Sequence, residues 1–297
     1  MANLQQVEGL LPPSSTTFRS DSLGQSLLGE RAAWRRLLQG RASRAFGRAF
    51  HASAAILAFL AFWEIAPRIG LAEPAFLPPL STVLGSGWEL VKNGQLWNHV
   101  EASLSRSLVG FALAICYAVP LGLAIGWYRR FAKLVSPLLE ALRNTAALAL
   151  LPVFILVLGI GESSKIALVI YSCSWPILLN TITGVRNVDP LLIKSARTMG
   201  LSPLQLFRKV ILPASLPTIF VGIRLAGAYS LLVLVAAEMV GAKAGLGYLI
   251  IYAQYNFQIP NMYVGILSIT LLGLSFNQAL QQVERRFTRW KVVSDND

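Results

Sequence analysis

Residues 187–217, NVDPLLIKSARTMGLSPLQLFRKVILPASLP, interrupt a chain that is otherwise a series of long apolar runs. The punctuation of this stretch is legible. Asp189 before Pro190 is an N-cap followed by proline at the first helical position, where the missing N–H costs nothing, and Gly200 is a left-handed stop. The segment between them amounts to about ten residues, or roughly 15 Å of helix. The same signals recur at once: Ser202 caps, Pro203 opens, and Pro213 reads as the end of a second short helix because it removes a donor. Neither piece is long enough to span a bilayer. Each has an apolar side (Leu192, Ala196 and Met199, then Phe207, Val210 and Ile211) and basic residues (Lys194 and Arg197, then Arg208 and Lys209). Both helices are therefore expected to lie along a membrane surface with the apolar side docked.

Working outward, the chain has 297 residues, 55% hydrophobic and 13% charged. An ordinary soluble domain carries about 25% charged residues, so an integral membrane protein is expected. The net charge of +12 does not indicate nucleic acid, because the basic residues sit in the gaps between apolar runs rather than among aromatics on a soluble module. Cys116 and Cys173 both lie in apolar segments, which argues against a disulfide framework, and no metal-ligand spacing occurs. There is no G-x4-G-K-[ST] loop, no H-E-x-x-H and no G-x-S-x-G, so neither nucleotide hydrolysis nor catalysis is expected of this chain. The nearest Gly-rich stretch, residues 241–247 (GAKAGLG), follows an apolar span and reads as a tight turn outside the membrane.

The expected fold is all-α and polytopic, with six spans of the length needed to cross about 30 Å of hydrocarbon. They are placed at 50–66, 104–128, 134–159, 164–185, 215–240 and 261–279, with Ser81 as a helix cap and Trp88 and Trp97 as interface anchors in the first connection. Residues 1–49 are expected to be a tail, polar at first and then basic and amphipathic; 50–282 is the membrane domain and 283–297 a second tail. The tail before residue 50, the turn at 129–133, the segment 186–209 and the end at 285–291 hold most of the basic residues, against Arg68, Lys92, Lys165 and Lys243 on the other side. The positive-inside bias then puts both termini and the double-helix loop in the cytoplasm.

Small residues recur every four positions in the second span, Gly110, Ala114, Ala118, Gly122 and Gly126, a face suited to close helix packing within the subunit or between subunits. Polar groups inside spans demand a reason. Glu140 and Arg143, three apart, are expected to pair, with Asn144 beside them, and Glu140 reads as the one interior acid. Glu238 reads as facing water or a pore mouth at the outer end of the fifth span, and Arg224 as snorkelling at its inner end. Together Glu140, Arg143, Asn144, Ser172, Trp175, Asn180, Glu238 and Asn277 are candidates either for a translocation path or for interhelical hydrogen bonds.

The spacing Lys194-Ser195-Ala196, three residues, Gly200, nine residues, Val210, one residue, Leu212-Pro213 resembles the cytoplasmic "EAA" loop of bacterial ABC-importer permeases, E-A-A-x3-G-x9-I-x-L-P. Lys194 stands where that family has Glu, Ser195 where it has Ala, and Val210 where it has Ile. Leu142-Arg143-Asn144, Ala236-Ala237-Glu238, Gly245-Leu246-Gly247-Tyr248 and Glu284-Arg285-Arg286 are similar to the aliphatic-sulfonate, taurine and nitrate branch. The resemblance implies a coupling loop in which Asp189, Pro190, Lys194, Ser195, Ala196, Arg197, Gly200, Val210, Leu212 and Pro213 meet an ATPase. It also implies a second permease subunit, two ATPase subunits that bind the ATP and Mg, an external binding protein delivering a small anion, and a place in the bacterial inner membrane. This chain itself would hold no cofactor or metal. A secondary carrier or channel without an ATPase is the alternative, and such carriers commonly use membrane-buried coupling carboxylates.

Overall fold

The computed structural model describes residues 54–287, and the expectations for the two tails therefore lie almost wholly outside the described residues. Contacts divide the chain into a unit ending at Trp63 and a second beginning at Glu64. The described part of the first, residues 54–63, is helical with Ile56, Leu57, Phe59 and Phe62 exposed.

Among the described residues of the second unit there are helices and no strands. After a helical stretch at 64–68 come α1 (Leu80–Lys92), α2 (Gln95–Trp127), α3 (Arg129–Arg143), α4 (Leu151–Leu158), α5 (Glu162–Arg186), α6 (Pro190–Thr198), α7 (Pro203–Leu206), α8 (Leu212–Glu238), α9 (Leu246–Tyr255) and α10 (Ile259–Phe287). Four helices are long and apolar enough to cross a membrane: α2, α5, the run Pro203–Glu238, and α10. The α3–α4 pair adds a fifth if counted as one span. The expected sixth, residues 50–66, begins outside the described residues.

Three helices make the core. Phe111, Ala114, Ala118 and Ile125 of α2 pack on Val169, Cys173, Ile177 and Ile182 of α5, and Ala226 and Leu234 of α8 close the cluster. The small-residue face of α2 is spent here, within the subunit. A Cβ added at Gly122 would stand 2.7 Å from the Thr181 side chain, and one at Gly126 the same distance from Val185. Since helices in lipid associate by packing, this close approach positions α5 along its whole length.

Several sequence expectations are corrected. The third span is not continuous: α3 and the helical segment from Ala147 to Leu158 are bent by 86° at the break. The carbonyls freed there find partners, Leu142 accepting from the Tyr171 hydroxyl at 2.6 Å and Ala141 from the Thr145 hydroxyl at 3.2 Å, while Pro152 opens α4. Pro213 does not end the second short helix. A π turn at Phe207–Ile211 joins α7 to α8, and the helix runs unbroken from Pro203 to Glu238. The wider hydrogen-bond register of that turn accommodates the donor Pro213 lacks. Ser81 is not a cap; it lies inside α1, where its backbone N–H and hydroxyl both donate to Glu64 at 2.9 Å. Arg224 does not snorkel alone but pairs with Glu284 of α10 at 3.1 Å. The Gly-rich turn leads into a helix, α9, that sequence reading did not foresee.

Candidate functional site: a capped loop, a lined cavity and a buried ion cluster

The loop after α5 is stiff because each of its ends is satisfied. The Leu191 N–H donates to the Asp189 carboxylate at 2.8 Å. Gly200 sits at φ 74°, so that its N–H reaches Arg197 O at 3.0 Å and the Leu201 N–H reaches Ala196 O at 3.3 Å, the paired bonds of a left-handed helix stop. Ser202 and Gln205 form a reciprocal capping box.

Ala196, Leu206 and Ile211 are buried with Val185 and Val188, backed by Trp127, Ile193 and Phe207. The docked side of α6 is thus Ile193 and Ala196, and the expected docking side is corrected: Leu192 and Met199 point outward, joined by Leu191 and Leu204. Lys194, Ser195 and Arg197 are also exposed. The result is a rigid knob with an apolar, basic tip anchored on the ends of α2, α5 and α8.

A cavity of about 570 Å³ opens between α5, α8 and the α3–α4 break. Of the eight expected path residues, Arg143, Ser172, Trp175 and Asn180 line it together, with Tyr229 and Leu232 opposite. Ser172 donates to Leu168 O at 2.9 Å and Asn180 to Pro176 O at 2.8 Å, so both hydroxyl and amide are tied to their own helix. The Trp175 indole N–H is buried without a partner, and none of the salt bridges among the described residues uses Arg143. No acidic residue lines the cavity. What it offers is one unfilled indole donor and one cation, Arg143, on largely apolar walls, chemistry that can receive a group bearing negative charge.

Glu140, Asn144, Glu238 and Asn277 are not in this cavity. Glu140 and Arg143 form no salt bridge, both being exposed on the same side of α3. Asn144 is exposed at the end of that helix, and Asn277 lies on α10.

Glu238 is the interior acid, fully buried rather than open to water. It accepts from Arg106 Nη1 at 2.7 Å, from the Ser103 hydroxyl at 2.8 and 2.9 Å, and from the Gly247 N–H at 3.0 Å. Arg106 also donates to Ala244 O at 2.7 Å and forks onto the Glu162 carboxylate. The Leu246 N–H donates to Ser103 and the Gly245 N–H to His99 Nδ1. One cluster therefore ties α2, α5 and α8 to the start of α9. Sequence reading missed Arg106, and the signal was there: an arginine inside the long apolar helix α2, where a charge requires a partner. No group of three His, Cys, Asp or Glu able to hold a metal occurs among the described residues.

A family model described as the inner-membrane component of binding-protein-dependent transport systems matches residues 118–289, more than half of the chain. The chain belongs to this ABC-importer permease family. The permease is 38% identical over 231 residues to a protein of Escherichia coli K12 named as an aliphatic sulfonates transport permease, SsuC, covering 78% of this chain and 88% of that one. It is 29% identical over 273 residues to the taurine transport permease TauC of the same organism, covering 90% and 97%. Its fold is that of a chain of the inward-facing MetNI methionine ABC transporter, at 21% identity and a TM-score of 0.59 over 66% of this chain and 97% of that one. The permease is accordingly a transport subunit of several membrane spans, not an enzyme.

Proposed function

We propose that the permease is the membrane pore of an ATP-driven importer that carries a small anionic solute of sulfonate or taurine type, delivered by an external binding protein. Six spans cross the inner membrane, the sixth formed by residues 50–66, with both termini and the capped loop in the cytoplasm. Two copies pair, and each loop seats in one ATPase subunit, which holds the ATP and Mg.

The observation that carries this reading is the loop itself. A segment capped at Asp189, Gly200 and Ser202, buried along Ala196, Leu206 and Ile211, and presenting Leu191, Leu192, Met199 and Leu204 to solvent is built to receive force from a partner and pass it on. Because α7 continues into α8 through the π turn, movement of the knob becomes movement of a 36-residue helix that walls the cavity. Lys194, in place of the family's Glu, offers the ATPase a cation at that contact. The relatives' names support the solute class, and the acid-free cavity around Arg143 and Trp175 agrees with it. A proton- or ion-coupled carrier would need a buried carboxylate free to titrate or bind an ion; Glu238 is instead held by Arg106, the Ser103 hydroxyl and the Gly247 N–H.

The test is uptake of radiolabelled taurine and of an alkanesulfonate by host cells lacking the chromosomal gene. Uptake restored by the wild-type gene and abolished by an ATPase-null partner is expected. Restored uptake that survives loss of the ATPase would overturn the reading.

A further inference from the structure

The cavity at Trp175 is the first of three that share walls. Arg143 and Leu179 belong both to it and to a second, of about 130 Å³. Ser136 and Arg186 belong both to that one and to a third, of about 700 Å³, at the base of the capped loop. Two helical stripes account for the continuity. On α3, Arg129, Lys133, Ser136, Glu140 and Arg143 follow one another at intervals of four and three; on α5, Ser172, Trp175, Leu179, Ile182 and Arg186 do the same. Each interval keeps the next residue on the same helix face, so the two stripes face one another along a single seam.

The charges along this seam are unbalanced. Arg143, Arg186, Arg129, Lys133 and Arg197 line it, and Glu140 is the only acid. None of these takes part in a salt bridge among the described residues. A bias of cations toward the cytoplasmic ends of spans accounts for Arg129, Lys133 and Arg197 at the mouth. It also favours Arg186, the last residue of α5, but it does not account for Arg143, which ends half of a broken span, and Arg186 is set apart by lining two of the cavities at once. From Trp175 to Arg186 the rise along α5 is about 16 Å, or about three helical turns, which is the length of seam between the Trp175 cavity and the charged mouth.

We infer that this seam is an anion relay: Arg143 takes the anionic head group of the solute from the Trp175 cavity, Arg186 receives it next, and Arg129, Lys133 and Arg197 form the mouth through which it leaves. Glu140 opposes tight holding at the middle station, since conduction needs several weak sites rather than one strong one. The inference rests on the importer reading for the direction of travel, and it assigns the inner route to charge rather than to shape.

The test uses neither ATP, binding protein nor solute, so its failure is distinct from failure of the importer reading. Cys116, the exposed native thiol, is replaced by Ser, and Ser136→Cys places a thiol in the wall shared by the second and third cavities. Inside-out vesicles are treated with methanethiosulfonate reagents bearing either an ethylsulfonate or an ethyltrimethylammonium group, each rate being taken relative to a free thiol. The expected result is a preference of about tenfold for the anionic reagent, equivalent to about 1.4 kcal/mol. Arg143→Gln with Arg186→Gln should reduce the preference to about twofold or less, and the two Lys replacements should restore it. Leu179→Cys repeats the measurement should Ser136→Cys fold poorly. Equal rates for the two reagents, a preference unchanged by both Gln replacements, or a thiol that neither reagent reaches would overturn the relay.

Discussion

The Gly247 backbone N–H donates to the Glu238 carboxylate at 3.0 Å, and Glu238 reaches it because Gly245 and Gly247 have no side chains in the way. A Cβ at Gly245 would overlap the carboxyl group, and one at Gly247 would overlap the Val235 carbonyl oxygen. The Gly-x-Gly pattern before Tyr248 thus serves a buried acid, not a phosphate. Gly247→Ala meets backbone that cannot swing aside, and overpacking of this kind costs about 1–3 kcal/mol. Its thermal midpoint in detergent should fall by several degrees. Gly85→Ala, in α1 with nothing near its added Cβ, should be neutral or slightly stabilising.

Arg106 makes two ion pairs of different worth. Glu238 is fully buried, whereas the Glu162 side chain is 61% exposed. Arg106→Leu strands a buried carboxylate, a loss of about 3–5 kcal/mol, and should leave little folded permease. Glu162→Gln breaks only the exposed pair and should cost under about 1 kcal/mol. Adding Glu238→Gln to Arg106→Leu should recover part of the folded yield, read by size-exclusion profile and thermal unfolding.

The caps of the loop were legible because they are local. Asp189 reaches two residues along the chain and Ser202 three, distances a sequence pattern contains. The Arg106–Glu238 pair spans 132 residues and joins two helices whose facing depends on how Gly110 and Gly122 pack; nothing within either segment states that. The break at Asn144 was missed because the apolar residues of amphipathic α3, such as Leu134, Leu138 and Leu142, run on into the wholly apolar α4 and read as one span. Pro213 misled in the other direction, because a π turn let a helix pass a residue that usually stops one. Four of the eight candidate path residues, Arg143, Ser172, Trp175 and Asn180, line one cavity, and they were legible because polar groups in apolar helices are conspicuous. The continuation through Arg186 was not, because it emerges only when the stripes on α3 and α5 are set face to face.

The two caps give a second stability test. Asp189→Ala and Ser202→Ala should each cost about 1 kcal/mol, and because the cap residues are exposed and well separated, the losses should add within about 0.5 kcal/mol. Thermal unfolding of both single variants and of the double variant checks this.

Trp175 tests the cavity. Its indole N–H has no partner to lose, so Trp175→Phe costs only the ring area it removes beside the core, about 1–2 kcal/mol, and should leave the permease folded. If that N–H serves the solute, uptake at low solute concentration should fall about ten- to a hundredfold with the folded yield intact, because a hydrogen bond to a charged group contributes about 1.5–3 kcal/mol. Uptake of taurine or an alkanesulfonate, set against protein content by immunoblot, separates the two.

The most direct measurement is purification of the tagged permease in mild detergent from its native host, with the eluate assayed for a bound ATPase. A stoichiometric ATPase is expected with the wild type, and it should be lost from Gly200→Val, which strains the left-handed stop at φ 74° while the permease itself stays folded in the membrane. A permease that elutes without an ATPase yet transports in vesicles, or an ATPase that stays bound and coupled in the Gly200→Val variant, would contradict the coupling role of the loop.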